Sequence, residues 1–201
     1  MDNVPIEHHP LQPFLPGGAR LLMLGSFPPP RRRWAMDFFY PNRSNMMWEI
    51  FGLVFFGEPQ RLVDAENKSF RLEEIKKLLK ERGIAIYDTA CAVRRLSGNA
   101  SDKDLEIVEK TDIPWLLSQL PQCHDIVCTG QKSFSVLTED YGVPVPKMGT
   151  YNEFMIGNSQ FEQRKLRLWR MPSSSRAYPM KLEEKAEYYR KMMQHIGLIT
   201  P

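Results

Sequence analysis

Short, uninterrupted apolar runs alternate with amphipathic helical segments along this 201-residue chain, and this alternation restricts the fold more than any other feature. Apolar runs that begin at Arg20, Ile84, Asp125 and Lys165 are typical of buried strands: RLLMLGSF, IAIYDTACAV, DIVCTG and KLRLWRMPSSS. Helical segments separate them. Because right-handed crossovers connect such units, we predict an α/β fold, a three-layer α/β/α sandwich around a mainly parallel four-stranded sheet with strand order 2-1-3-4.

The helices are predicted from apolar stripes with a period near 3.6 residues and from the residues that can begin or end them. One helix is predicted to begin at Met46 and to end before Gly57, and another to end at Gly83. Pro114 is predicted to open a WLLSQL helix, QKSFSVLTEDYG is predicted to be helical, and Ser101 is predicted to cap a helix over DKDLEIVEK. The stripe of the last predicted helix consists of Leu182, Ala186, Tyr189, Met193 and Ile196.

The charge composition restricts which partners are expected but does not identify one. Lys and Arg number 27 against 24 Asp and Glu, a net charge of +3, which does not by itself imply a polyanionic partner. The arginines of the first loop, however, outnumber its acids: Arg20, Arg31, Arg32, Arg33 and Arg43 face only Asp37, which is typical of a phosphate-facing loop. The charges in LEEIKKLLKERG and KLEEKAEYYRKMMQ alternate in sign at helical spacing and indicate solvated helix faces.

The chain shows no internal repeat or linker, so we predict one domain over residues 1–201. No apolar stretch approaches the ~18 residues of a membrane span, and the first residues lack the apolar core of a secretion signal, so we expect a cytoplasmic protein. Cys91, Cys123 and Cys128 show no CxxC spacing, and we expect reduced, mostly buried thiols.

Nucleotide-driven and metal-dependent chemistry is disfavoured. The chain has neither GxxxxGK[ST] nor a GxGxxG after a predicted strand. His8 and His9 are predicted to lie in a tail, His124 in a turn and His195 on the last helix, which leaves no evident metal cluster or Ser-His-Asp triad. We therefore expect a site without metal or cofactor.

Polar and flexible residues follow each predicted strand, at residues 25–28, 88–89, 129–132 and 172–176. In parallel sheets, ligands lie beyond the carboxyl ends of the strands, so these segments are expected to line one crevice. The first and last are rich in glycine, serine and proline, which lets backbone approach a phosphate closely. Each of them alone is also compatible with an ordinary turn.

Four motifs of the chain, in order and spacing, resemble the uracil-DNA glycosylase superfamily. LGSFPP is similar to its first glycine-proline motif, and MPSSSRAYPM followed by LEEKAEYY is similar to its second, Pro-Ser motif. DFFYPNRSNMMWEIFG resembles the aromatic segment of the hypoxanthine-DNA and mismatch-specific branches, and GIAIYDTACAVRR resembles the strand whose last polar residue reads the base. The resemblance extends from about His9 to Tyr189 and implies a monomeric, monofunctional DNA glycosylase that flips uracil or hypoxanthine out of DNA and hydrolyses its N-glycosidic bond in base excision repair.

The resemblance implies a role for each matching residue. Asn45 would position water as the catalytic residue, Tyr40 would stack on the flipped base and Asp88 would accept its ring N–H, with Ser26 and Phe27 completing the substrate site. The DNA-binding residues would be those of the second motif: Ser173, Ser174 and Ser175, which hold phosphates, and Arg176, which fills the gap in the duplex.

Two positions depart from the family. Phe27 stands where well-studied branches have a water-positioning Asp or Asn, and Met171 stands where many relatives have His or Asn. Help to the leaving base would therefore come from backbone N–H groups or be missing. Structural roles also remain open: Asn45 and Asp88 as caps, Arg176 on a solvated turn, and Phe39 in place of Tyr40. Two other functions are compatible with the sequence, a non-catalytic DNA-lesion-binding protein and a small-molecule nucleoside hydrolase.

Overall fold

A computed structural model describes residues 4–97, 104–157, 159–160 and 162–200. The strands in this part of the chain are β1 (Ile6–His8), β2 (Leu21–Gly25), β3 (Val63–Asp64), β4 (Ser69–Phe70), β5 (Ile84–Asp88), β6 (Ala90–Arg95), β7 (Leu105–Lys110), β8 (Asp125–Cys128), β9 (Tyr151–Ile156) and β10 (Arg164–Arg170). The α-helices are α1 (Met47–Phe56), α2 (Leu72–Arg82), α3 (Ile113–Ser118), α4 (Gln131–Tyr141) and α5 (Leu182–Ile196).

The central sheet has five strands in the order β5-β2-β8-β10-β9. The first four are parallel, and their order is the predicted 2-1-3-4, so the predicted α/β fold with a four-stranded parallel core is confirmed. Strand β9 was not predicted and pairs antiparallel with β10 at the edge. Its YNEFMI sequence buries Phe154 and Ile156 but exposes Glu153 and Met155, the alternation of a strand with one solvated face.

The helices cover both faces of this sheet. The connection from β2 to β5 crosses the sheet in one direction, whereas those from β5 to β8 and from β8 to β10 cross it in the other. Right-handed crossovers therefore place α2 on one face and α3 and α4 on the opposite face. Helix α5 packs against α1, and α2 ends, as predicted, at Gly83, whose φ of 67° is left-handed.

A second, three-stranded antiparallel sheet of order β1-β6-β7 was not predicted. IAIYDTACAV was expected to be one strand, but β5 ends at Asp88 and β6 continues in this other sheet. The helix expected over DKDLEIVEK is wrong, because Leu105–Lys110 is strand β7; Ser101, its predicted cap, lies outside the described residues. Leu105 and Val108 also fit a helical period, but β-branched residues and the open edge of β6 favour a strand.

The N-terminal segment is bound to this second sheet. Strand β1 pairs antiparallel with β6, and the next residue, His9, donates its backbone N–H to the Cys91 carbonyl at 2.8 Å. The segment predicted to be a tail therefore has a fixed position, and this position brings His9 to the carboxyl end of β5.

The three cysteines are free, and Cys123 and Cys128 are buried as expected, whereas Cys91 is half-buried. Burial raises the pKa of both buried thiols to about 12, so neither is a thiolate at neutral pH. Within the described residues, no helix has the length and apolar character needed to cross a membrane.

Candidate active site

A cavity of about 1120 Å³ opens at the carboxyl ends of the four parallel strands. Its walls include residues from each predicted strand end, so these segments do converge. Eight of the nine candidate site residues line this cavity: Ser26, Phe27, Tyr40, Asn45, Asp88, Ser173, Ser175 and Arg176. The ninth, Ser174, is buried beneath the surface.

Backbone hydrogen bonds join the serine loop, residues 172–176, to the segment that leads into α1. Met46 donates its N–H to the Ser174 carbonyl at 2.8 Å, and Arg176 donates to the Ser44 carbonyl at 3.1 Å. Asn45 and Ser175 face each other in an antiparallel bridge. Two motifs that are 130 residues apart in the chain (175 minus 45) thus form one wall of the cavity.

The side chain of Asn45 has one end fixed by the protein. Its Oδ1 accepts the backbone N–H of Met47, the first residue of α1, at 2.9 Å. Because Oδ1 is the atom in this contact, Nδ2 is not used by it, and Asn45 also lines the cavity. Asn45 precedes Met46, the N-cap residue of α1, so it holds the first N–H of the helix without being the cap itself, and this contact is compatible with a role in the cavity.

The Tyr40 ring is held rigidly in the cavity wall. Its hydroxyl shares a 2.9 Å hydrogen bond with Thr129 Oγ1, and its ring packs edge-on against Trp48. Burial raises the pKa of Tyr40 well above its ordinary value, so the phenol stays neutral. Its φ of 49° is unusual for a residue with a side chain, and such strain clusters at functional sites. Phe39 also lines the cavity, so the structure leaves both aromatic residues available to a ligand.

Asp88 ends β5 directly opposite Gly25, the last residue of β2. Its carboxylate lies against this glycine, because a Cβ at position 25 would come within 2.2 Å of Asp88 Oδ1. Its other oxygen, Oδ2, shares a 2.8 Å hydrogen bond with His9 Nε2. His9 was not among the predicted site residues, because no motif surrounds it. The one sequence feature that could have indicated it is its residue type, a histidine to which the sequence analysis assigned no role.

Phe27 lies where the two sheets meet. It is buried, contacts the His9 ring edge-on at 5.3 Å and packs against Ala90 and Val93 of β6. Ser26, also buried, accepts the Ala90 N–H at its carbonyl. A hydrocarbon ring cannot orient water, so Phe27 shapes the cavity rather than acting in proton transfer.

The cavity rim carries arginines. Of the described lining residues, Asp88 is the only carboxylate, whereas Arg33, Arg170 and Arg176 are cations. Arg176 is about half exposed, and its guanidinium donates to Glu49 at 2.7 Å and to the Arg43 carbonyl at 3.3 Å. To enter a DNA duplex, Arg176 would have to leave Glu49.

The architecture is similar to that of a solution NMR structure from Methanosarcina acetivorans, of a protein provisionally named a uracil DNA glycosylase. The two share a TM-score of 0.58 and 21% sequence identity, over 95% of this chain and 100% of the other. This likeness shows a uracil-DNA-glycosylase-like fold. No protein-family model and no curated protein matches the chain.

Two of the apolar residues that line the cavity stand at the positions that depart from the family pattern. Phe27 and Met171 are both nearly buried, and neither can donate or accept a strong hydrogen bond. Asn45, Asp88 and the serines of the serine loop are among the polar residues that line the cavity beside them. Among the residues that the structure describes, no three His, Cys, Asp or Glu side chains are grouped so as to hold a metal ion.

Proposed function

We propose that the protein is a monofunctional DNA glycosylase that removes a deaminated base, uracil or hypoxanthine, from DNA. The observation that carries the proposal is the cavity at the strand ends, where Tyr40, Asn45 and Asp88 lie beside the serine loop. The hypoxanthine-DNA or mismatch-specific branch is the proposed relationship. The cytoplasmic location and the monomeric state expected from the sequence stay predictions.

Base removal begins with extrusion of the nucleotide, which costs a few kcal/mol. The hydroxyls of Ser173 and Ser175 and the arginines of the rim can bind the flanking phosphates, whose contacts position the duplex without reading its sequence. Ser174 contributes through its position in the loop, since its side chain is buried. In this proposal Arg176 exchanges Glu49 for the space left by the flipped base.

The flipped base then lies between a ring and a carboxylate. Tyr40 offers an aromatic face for stacking. Because its hydroxyl is already hydrogen-bonded to Thr129, little side-chain conformational freedom is lost when a base stacks on the ring. Asp88, when ionised, accepts the ring N–H that uracil and hypoxanthine both carry. Stacking selects planar bases, and the carboxylate selects among them.

Hydrolysis breaks the bond between the base nitrogen and C1′ of the deoxyribose. The leaving base takes the bonding electrons, water adds to C1′, and the water proton is released. Because the transition state of glycosidic cleavage resembles an oxocarbenium ion, the water needs orientation more than deprotonation. Asn45 supplies this orientation through Nδ2. No lysine lines the cavity within the described residues, in keeping with a monofunctional enzyme without a Schiff base.

Single-turnover release of bases from oligonucleotides tests the proposal. The panel carries uracil, hypoxanthine, xanthine or a thymine mismatch, in duplex and single-stranded form, and alkali-labile sites report release. Release of uracil or hypoxanthine is the expected result. Lesion-selective binding without release would support a non-catalytic lesion-binding protein, and cleavage of free nucleosides with no effect on DNA would support a nucleoside hydrolase.

A further inference from the structure

His9 and Asp88 form a buried hydrogen-bonding contact at the base of the cavity. Their side chains are 2% and 10% exposed, and His9 Nε2 lies 2.8 Å from Asp88 Oδ2. The two residues belong to different sheets and are 79 positions apart in the chain. Burying such groups is costly unless each is hydrogen-bonded, so the pair is a built feature of the cavity.

The His9 ring is fixed from all sides. Its Nδ1 lies 3.2 Å from the Leu11 N–H and 2.9 Å from the Leu11 carbonyl. The rings of Phe27 and Tyr87 pack against it at 5.3 and 4.7 Å. With Asp88 as the ionised acceptor that the proposed function requires, Nε2 is the atom that donates in this contact.

This contact leaves one carboxylate oxygen for a ligand. Oδ2 is taken by His9, which does not line the cavity, whereas Oδ1 lies over Gly25, which does. The absence of a side chain at Gly25 is what allows this position, because a Cβ there would collide with Oδ1 at 2.2 Å. Of the two carboxylate oxygens of Asp88, Oδ1 is therefore the one left to accept a hydrogen bond from a ligand in the cavity.

We propose that His9 is a specificity-determining positioning residue, which holds Asp88 so that the cavity accepts bases with a ring N–H and rejects bases with a bare ring nitrogen. The proposal rests on the proposed function of this site. Hypoxanthine and uracil present N–H to such an acceptor, whereas adenine and cytosine present a lone pair at the corresponding nitrogen. Hydrolytic deamination changes the second kind into the first, so His9 and Asp88 together distinguish a deaminated base from the adenine or cytosine that gave rise to it.

The cost of a mismatch at this acceptor favours strong discrimination. A lone pair set against a buried carboxylate oxygen leaves both groups unpaired, and sites built around a buried hydrogen bond reject analogues that lack it by large factors. Without His9, Oδ2 loses its donor, and the carboxyl is free to rotate away from the direction that a base requires. The discrimination should then fall while stacking on Tyr40 remains.

The test measures binding separately from cleavage. Duplexes carry hypoxanthine, 1-methylhypoxanthine or adenine on a 2′-fluoroarabino sugar, which resists hydrolysis because fluorine disfavours an oxocarbenium ion. His9→Phe keeps ring packing but removes the donor, His9→Gln restores an N–H donor, and His8→Phe changes the exposed neighbouring residue as a matched control. Circular dichroism melting confirms that each variant is folded.

Wild-type protein, His8→Phe and His9→Gln should bind hypoxanthine duplex at least about tenfold more tightly than the 1-methylhypoxanthine and adenine duplexes. In His9→Phe this preference should fall to within about twofold. An unchanged preference in His9→Phe, no preference in the wild type, or an equal loss in His9→Gln would each overturn the inference.

Cleavable duplexes with ordinary deoxyribose are measured in parallel. A preference that depends on His9 without any base release would contradict the glycosylase proposal and leave the role of His9 intact. Base release combined with a preference that does not depend on His9 would contradict the role of His9 and leave the glycosylase proposal intact.

Discussion

The two ends of the Asn45 amide have different proposed roles, which can be tested separately. Oδ1 holds the first N–H of α1, whereas Nδ2 is the end proposed to orient water. Asn45→Ala should lower single-turnover base release at least tenfold, about 1.4 kcal/mol of barrier, with DNA affinity near that of the wild type. It should also cost about 0.5–2 kcal/mol of stability, because a helix-terminal acceptor is removed.

Asn45→Asp separates the two effects, since a carboxylate still accepts the Met47 N–H but cannot donate. Its melting temperature should stay close to that of the wild type while base release falls as in Asn45→Ala. Wild-type rates in both folded variants would exclude Asn45 from the mechanism and leave it only its contact with the first N–H of α1.

Tyr40 also has two separable functions, a hydroxyl bonded to Thr129 and a ring that faces the cavity. Tyr40→Phe keeps the ring and should retain base release to within a few-fold. Tyr40→Leu removes the aromatic face, and stacking of a base on such a ring contributes about 1–3 kcal/mol, so release should slow about tenfold or more. Saturating-enzyme kinetics on a lesion duplex measures both, and equal rates for the two variants would place the base elsewhere, with Phe39 as the next residue to test.

At the scale of elements, the arginine-rich 3₁₀ turn Arg31–Arg33 stands at the rim of the cavity. Arg31 already pairs with Asp37 at 2.8 Å and lies over the Trp34 ring, whereas Arg33 lines the cavity itself. Replacing all three by Ala should flatten the dependence of log affinity on log salt by up to ~0.9 for each duplex phosphate that the arginines neutralise. Arg31→Ala alone should have the smaller effect. A slope equal to that of the wild type would place this turn away from DNA.

Helix α5 supports the serine loop through a buried lysine. The charge pattern KLEEKAEYYRKMMQ predicts solvated side chains, and for Lys185 this prediction is wrong, because its side chain is fully buried. Its Nζ donates to the Ser175 carbonyl at 2.6 Å and lies 3.7 Å from Met46 Sδ. No carboxylate pairs with it in the part of the chain that the structure describes.

Burial, and then the nearby charge of Arg176, lowers the pKa of Lys185 from its ordinary 10.5. The unfolded chain then holds this proton at pH values where the folded protein releases it. The destabilisation is therefore fully present below the lowered pKa and is relieved as the pH rises from that pKa toward 10.5. Urea unfolding at several alkaline pH values should show the wild type gaining stability relative to Lys185→Met; a constant difference would contradict this.

At the scale of the whole molecule, the parts of the structure that could be predicted from sequence are those set by local pattern. The stripe of α1 and the glycine after α2 act within a few residues, so both helices follow from the sequence. The second sheet does not, because its strands are stabilised by distant partners: Ile6 lies opposite Arg94 and Val93 opposite Ile107. The site divides in the same way. Its strand-end residues could be predicted from sequence, whereas His9 could not, because His9 reaches Asp88 only through the second sheet.

Arg95 connects the second sheet to the cavity. Its guanidinium donates to both carboxylate oxygens of Glu7 at 3.2 and 3.1 Å and to the Pro28 carbonyl at 3.1 Å, and its side chain is only 7% exposed. It thereby ties β6 to the strand that precedes His9 and to the loop that carries Phe27. The side chain of Arg94, the preceding residue, instead pairs with Glu106 at the surface and forms no ion pair with Glu7.

Arg95→Met should therefore loosen the His9 segment and the Phe27 loop together. Hydrogen bonds to charged groups contribute about 1.5–3 kcal/mol, and removal of this bidentate interaction should lower stability in that range, whereas Arg94→Met should cost about 0–1 kcal/mol. In hydrogen exchange, the His9 amide, which bonds the Cys91 carbonyl, should lose protection more than the central-sheet amide of Met23. Equal loss of protection at both amides would mean that the two sheets unfold as one cooperative unit and that Arg95 stabilises the whole rather than the site.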